Sequence, residues 1–182
     1  LSEPFRFCDE ARMDKELLSR HTKGLVALSG CMTGEIPRAL LSGEDERAEE
    51  LLALYQEIFG RENFFIEISH HPNIPNHKKL VAALIEFAKR TNAPLVATQD
   101  IHYLTPEDAQ AQDILLAVQT NSRLDDEDRL TMKDDNFSFR SSEEMAELFK
   151  GTPEAIANTL LIAERARVEI PLGVLQLPHF PL

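Results

Sequence analysis

The stretch APLVATQDIHY, Ala93 to Tyr103, enters through a proline, runs through Leu95, Val96 and Ala97, and stops on a carboxylate and an imidazole two residues apart. A short aliphatic run bounded by proline on one side and polar residues on the other has the form of a buried β-strand. Two earlier segments follow the same grammar: GLVALSGC, Gly24 to Cys31, and NFFIEISHH, Asn63 to His71. Each strand is followed by helical periodicity. After the first come IPRALLSG and then ERAEELLALYQEIFG, in which Leu51, Leu52, Tyr55, Ile58 and Phe59 fall on one helical face closed by Gly60. After the second comes HKKLVAALIEFAKRTN, with Leu80, Leu84, Phe87 and Ala88 on a similar stripe. Strands alternating with helices of this length imply parallel strands joined by crossovers, an α/β fold of the barrel or doubly wound kind.

Beyond Tyr103 the signals are helical. Thr105, Pro106 and Asp108 form a capping box for a helix to about Gln119, and Ser141 with Glu144 forms a second one for a helix through Phe149. A short strand is expected at NFSFR, between the acidic loop Asp125 to Asp128 and that second box, and a last helix from Thr152 and Pro153 to about Arg167.

In parallel βα folds, ligands bind at the carboxyl ends of the strands. Those positions here hold Cys31, then Glu67, His70 and His71, then Asp100 and His102. Thiolate, imidazole and carboxylate are donors that zinc-like divalent metals accept. Asp100 and His102, at i and i+2 on extended backbone, point to one side and can address one ion. The alternative reading of this D-x-H is a hydrogen-bonded loop pair or helix cap, and the alternative reading of Cys31 is a small buried hydrophobe. His70 and His71 are adjacent, so at most one can face the site; His71 precedes Pro72 and begins a turn, and the plain reading is a surface or turn histidine. Cys8, His21, His77 and His179 lie away from strand ends or at a helix start and receive no role. The acidic pair Asp134 and Asp135, like Asp125 to Asp128, reads as solvated loop charge.

Composition limits the function classes. The chain has 182 residues, 43% hydrophobic and 27% charged, enough for one globular core. A net charge of −12 argues against a surface that grips phosphate backbones by itself. Neither GxGxxG nor GxxxxGK[ST] occurs, and no G-x-S-x-G elbow marks a serine hydrolase. Apolar runs such as LVAAL fall well short of the roughly 20 residues that span a bilayer, so no membrane role is expected. Two cysteines make no disulfide framework, and the default location is the cytoplasm. The start at Leu1 without Met and the proline-spaced ending LPHFPL lead to the expectation of a segment running on into a further domain.

The series DKELLSRHTKGLVALSGCMTGEIP, FFIEISHHPNIPNHKKL, PLVATQDIHYLTPEDAQAQDILLAVQT, FSFRSSEEMAELF and PEAIANTLLIAERARVEI, ending in LPHFP, resembles in order the PHP (polymerase and histidinol phosphatase) domains of bacterial DNA polymerase III alpha subunits. The resemblance implies the later βα units of a distorted (βα)7 barrel over residues 14–173, followed by a mostly helical C-terminal region, with 1–13 a poorly matched leader and 174–182 a linker toward a polymerase module. It implies that Cys31, Asp100 and His102 are metal ligands, with Asp100 also bridging ions or orienting the nucleophile. The metal would be divalent and zinc-like, with manganese and magnesium as alternatives. Other family ligands, including an H-x-H absent from this sequence, would precede Leu1 and leave the site incomplete here. For the full-length protein the resemblance implies a DNA-directed DNA polymerase, a nucleotidyltransferase of DNA replication, with phosphoesterase or 3′–5′ exonuclease activity in the PHP site; the alternative is a scaffold that supports the polymerase and docks a proofreading subunit. Implied partners are the remainder of the alpha chain, other replicase subunits and, through them, DNA. Half a barrel would expose strand edges, covered by self-association or by rearranged ends.

Overall fold

The computed structural model describes residues 13–170 and 172–174. Its centre is a parallel sheet of β1 (Ala27–Leu28), β2 (Phe64–Ile68) and β3 (Leu95–Ala97), in that spatial order. Ala27 pairs with Phe64, and Ile66, Glu67 and Ile68 pair with Leu95, Val96 and Ala97. All three strands therefore end at the same side of the molecule, as the βα reading requires. The described residues give this α/β parallel architecture; closure into a barrel is not among their features.

The central strand carries a near-continuous apolar run because both its faces are covered. Phe64, Ile66 and Ile68, with Leu95 and Ala97 of β3, belong to the main core. Beyond the short first helix α1 (Lys15–Ser19), helices α2 (Glu35–Ser42), α3 (Asp45–Phe59) and α4 (His77–Thr91) supply Ile36, Leu51, Leu52, Leu80, Leu84 and Phe87 to it. The two stripes expected of α3 and α4 are thus the faces that pack, with Tyr55 and Phe59 half-buried and stacked on Phe64 at 5.1 and 6.3 Å between ring centres. Phe65 and Val96, also buried, alternate to the opposite face.

Both capping boxes are formed. Thr105 and Asp108 cap the 3-10 turn Pro106–Asp108 that leads into α5 (Ala109–Gln119), and Ser141 with Glu144 caps α6 (Ser142–Leu148). The last helix, α7 (Pro153–Arg165), lies against β3 and adds Ala155 to the core. Asn158 Nδ2 on α7 donates to the Leu95 carbonyl at 2.7 Å. One carbonyl on the outer edge of β3, that of Leu95, is therefore met from within the chain. The strand expected at NFSFR is reduced to one parallel bridge, Tyr103 to Ser138, because Asn136 and Asp135 bond the backbone locally and turn it away. Residues 1–12, which contain Cys8, and His179 lie outside the described residues.

Candidate functional site

The loops after the three strands form the candidate site. After β1 the turn SGCMTG presents Cys31, which is exposed. Gly30 holds φ 79, and a Cβ on Gly34 would stand 2.3 Å from the Ser29 carbonyl oxygen, so this turn depends on glycine at both places. The Gly34 N–H donates to the Cys31 carbonyl at 2.8 Å and leads straight into α2.

A row of polar contacts ties the strand ends together. The Glu67 N–H donates to Ser29 Oγ at 3.0 Å, and Thr98 Oγ1 donates to Glu67 Oε1 at 2.7 Å. One oxygen of the Glu67 carboxylate is thereby tied to β3.

After β3 the chain places Asp100 Oδ1 and His102 Nε2 2.9 Å apart, with side chains 51% and 36% exposed. This is the pair that the D-x-H spacing anticipates. His102 is steered by its backbone, whose N–H donates to the Phe137 carbonyl at 2.9 Å, and its ring meets Phe137 edge-on at 5.7 Å. Segment 134–140 is the back wall. The Phe137 N–H donates to Tyr103 Oη at 2.9 Å, and Gln99 exchanges two bonds with the backbone of Arg140, at 3.1 and 2.8 Å.

After β2 the outcome differs from the sequence reading. His71 opens the turn, its carbonyl accepting from the Ile74 N–H at 3.2 Å, but it is not at the surface: it is 3% exposed and stacks on Phe137 at 4.6 Å. His77, the first residue of α4, is equally buried; its Nε2 lies 3.0 Å from Ser69 Oγ, and its ring meets His71 edge-on at 5.3 Å. Burial pushes both imidazoles below their ordinary range, so they are held neutral, although Asp135 and Asp100 pull His71 the other way. No local signal announces that burial, which comes from the rings of Phe137 and His77 packed against it. Asp135 is likewise not simply solvated, since it accepts from the Asn73 N–H at 2.9 Å and pins that turn.

The donors fit a divalent ion in chemical type: a thiol, a half-exposed carboxylate with an uncommitted oxygen, and an imidazole. Of the three residues expected as ligands, Asp100 and His102 are brought together and Cys31 stands beyond the opposite edge strand. Among the described residues, no group of three or more His, Cys, Asp or Glu side chains is placed to hold one metal ion.

A parallel α/β sheet with helices on its flanks and candidate metal donors beyond its strand ends is consistent with a PHP domain, and residues 2–71 match the PHP domain family. More specifically, the chain belongs with the DNA polymerase III alpha subunits in their PHP region. It is 44% identical over 173 residues to DNA polymerase III subunit alpha of Treponema pallidum, 40% over 182 residues to that of Thermus aquaticus, and 38% over 172 residues to that of Pseudomonas aeruginosa. These alignments cover 92%, 97% and 94% of this chain. The chain spans 15% of the length of the first two relatives and 14% of the third.

Proposed function

We propose that this chain is the PHP segment of a replicative DNA polymerase III alpha subunit, and that Cys31, Asp100 and His102 contribute three ligands to a divalent metal site in the full-length protein. The observation that carries this reading is the Asp100–His102 pair: exposed, mutually oriented and standing beyond the end of β3, on the same side of the sheet as the turn after the opposite edge strand β1 that carries Cys31. The ligands still missing would come from preceding units of a distorted (βα)7 barrel. A divalent cation supplies Lewis-acid polarisation of a phosphoryl oxygen and acidification of water at neutral pH. This chain's own part is narrower. Tyr103 and Gln99 fix the 134–140 wall, Phe137 fixes the His102 backbone and ring, and His102 in turn orients the Asp100 carboxylate. The substrate class is a phosphodiester, with 3′–5′ exonuclease activity the expected form, in the cytoplasm.

The test is Asp100→Asn in the full-length alpha subunit, with polymerisation and 3′–5′ hydrolysis assayed side by side. Hydrolysis should be lost and polymerisation kept; hydrolysis at the wild-type rate would reject the reading.

A scaffold role is the second reading, and one observation favours it. On α5, Ile114, Leu115 and Val118 are 44%, 57% and 73% exposed on one face. A contiguous outward apolar face is typical of an interaction surface, here with the rest of the alpha chain or a proofreading subunit. If the full-length protein, purified without chelators, carries no metal and still polymerises normally, this second reading stands alone.

A further inference from the structure

The Asp100–His102 pair is held at two points, and both belong to the segment 134–140. Ahead of the pair, Gln99 Nε2 donates to the Arg140 carbonyl at 3.1 Å, and Gln99 Oε1 accepts from the Arg140 N–H at 2.8 Å. At the far end, the His102 N–H donates to the Phe137 carbonyl at 2.9 Å. The spacing between residues 137 and 140 therefore sets how the two ends of 99–102 are held relative to each other.

One side chain fixes that spacing. Arg140 is half-buried, and its Nη2 donates to the Asn136 carbonyl at 3.1 Å, which closes 136–140 into a loop on itself. Its Nη1 donates to the His70 carbonyl at 3.2 Å and ties that loop to the chain leaving β2. The loop after β2, the loop after β3 and the 134–140 wall thus meet at a single residue. Its two terminal nitrogens go to backbone carbonyls rather than to Glu143, Glu144 or Glu147, which line the same groove. A guanidinium is planar and presents its donors in a fixed fork, so two carbonyls held by one fork keep a set separation. An ammonium on a flexible stem imposes no such separation.

We propose, resting on the reading of Asp100 and His102 as metal ligands, that Arg140 is a positioning residue for that pair. It sets the anchor spacing that keeps Asp100 and His102 in a shared orientation, without touching metal or substrate itself. A contact that only stabilised the fold would raise the melting temperature and leave the ligand geometry alone. A positioning residue changes affinity and geometry at the ion, and outer residues that orient ligands commonly carry about ten- to a hundredfold in metal affinity.

The experiment uses the full-length alpha subunit, stripped of metal and titrated with Co²⁺, with affinity and the visible absorption spectrum as the two readings. The part of the signal that Asp100→Asn removes defines the site. In Arg140→Gln the affinity of that site should fall at least about tenfold and its absorption bands should shift, with polymerisation kept. Leu51→Ala, which opens a cavity in the main core on α3, should lower the melting temperature and leave both readings as in the unmodified protein. Unchanged affinity and spectrum in Arg140→Gln would overturn the positioning role and leave the ligand reading standing. Absence of any Co²⁺ signal sensitive to Asp100→Asn would instead reject the ligand reading, and the positioning role with it. If Arg140→Gln does not fold, Arg140→Lys, which keeps the charge and lacks the fork, is judged by the same two readings.

Discussion

Two aspartates of this chain each sit beside a basic partner, and they are built for opposite purposes. Asp113, on α5, is 2% exposed and has used its acceptor capacity: Arg129 Nη1 and Nη2 approach its two oxygens at 2.7 Å, and Thr131 Oγ1 and Lys133 Nζ add contacts at 2.7 Å. Asp100 is half exposed and makes one contact with His102 at 2.9 Å. Bidentate pairing with a planar guanidinium fixes geometry and uses up lone pairs. A single contact in solvent orients a carboxylate and leaves it able to accept something more. Similar sequence chemistry thus makes a clamp in one place and an offered ligand in the other.

The clamp has a clear structural task. Asp113 lies outside the main core and is covered by the very side chains it binds, so the pair fastens loop 123–133 onto α5. Arg129, with Lys133 and Thr131, holds the Asp113 carboxyl well below the usual carboxylate range. Asp113 therefore contributes stability that is complete above the unfolded value near 4 and is lost as pH falls below it.

The comparison breaks most sharply through substitution. Asp113→Asn removes the bidentate partner of Arg129, and thermal unfolding should show a fall in melting temperature of several degrees, the largest effect of the three. The unmodified melting temperature in that variant would mean the clamp is ornamental. Next in size is a pH effect at the end of β2. His71 and His77 have their pKa values lowered, so the contribution of keeping them neutral is complete above about 6.5 and is lost as pH falls through their folded values. Melting temperature should therefore drop between neutral pH and mildly acidic pH, and His77→Gln should flatten that slope; an unchanged slope would place the proton uptake elsewhere. Smallest is Asp100→Asn, whose effect on stability in chemical denaturation should stay within about 0.5 kcal/mol, as for an exposed pair. A loss several times larger would make Asp100 a second clamp and remove the contrast.

Much of the fold can be read from the chain before any coordinates. The three strand ends, the stripes Leu51–Phe59 and Leu80–Ala88, and both capping boxes are local patterns, and local patterns survive folding. The Asp100–His102 pair is legible for the same reason, because a separation of two on extended backbone already sets its side. What the sequence conceals depends on distant packing. His71 is packed against Phe137, 66 positions away, and the Leu95 carbonyl on the outer edge of β3 is met by Asn158 on α7. The NFSFR strand fails because Asn136 and Asp135 compete for the backbone. Asp113 did leave a trace: a lone carboxylate within AQDILLAV is a charge in an apolar helix segment, which calls for a buried partner.

The central claim is that Asp100, His102 and Cys31 are metal ligands in the full-length protein, and metal content tests it most directly. The full-length alpha subunit and its Asp100→Asn, His102→Ala and Cys31→Ser variants, purified without chelators, should be compared by elemental analysis. The account predicts a bound divalent metal in the unmodified protein and a marked fall in each variant, with Asp113→Asn retaining it. Equal metal in all of them, or none in the unmodified protein, would contradict it.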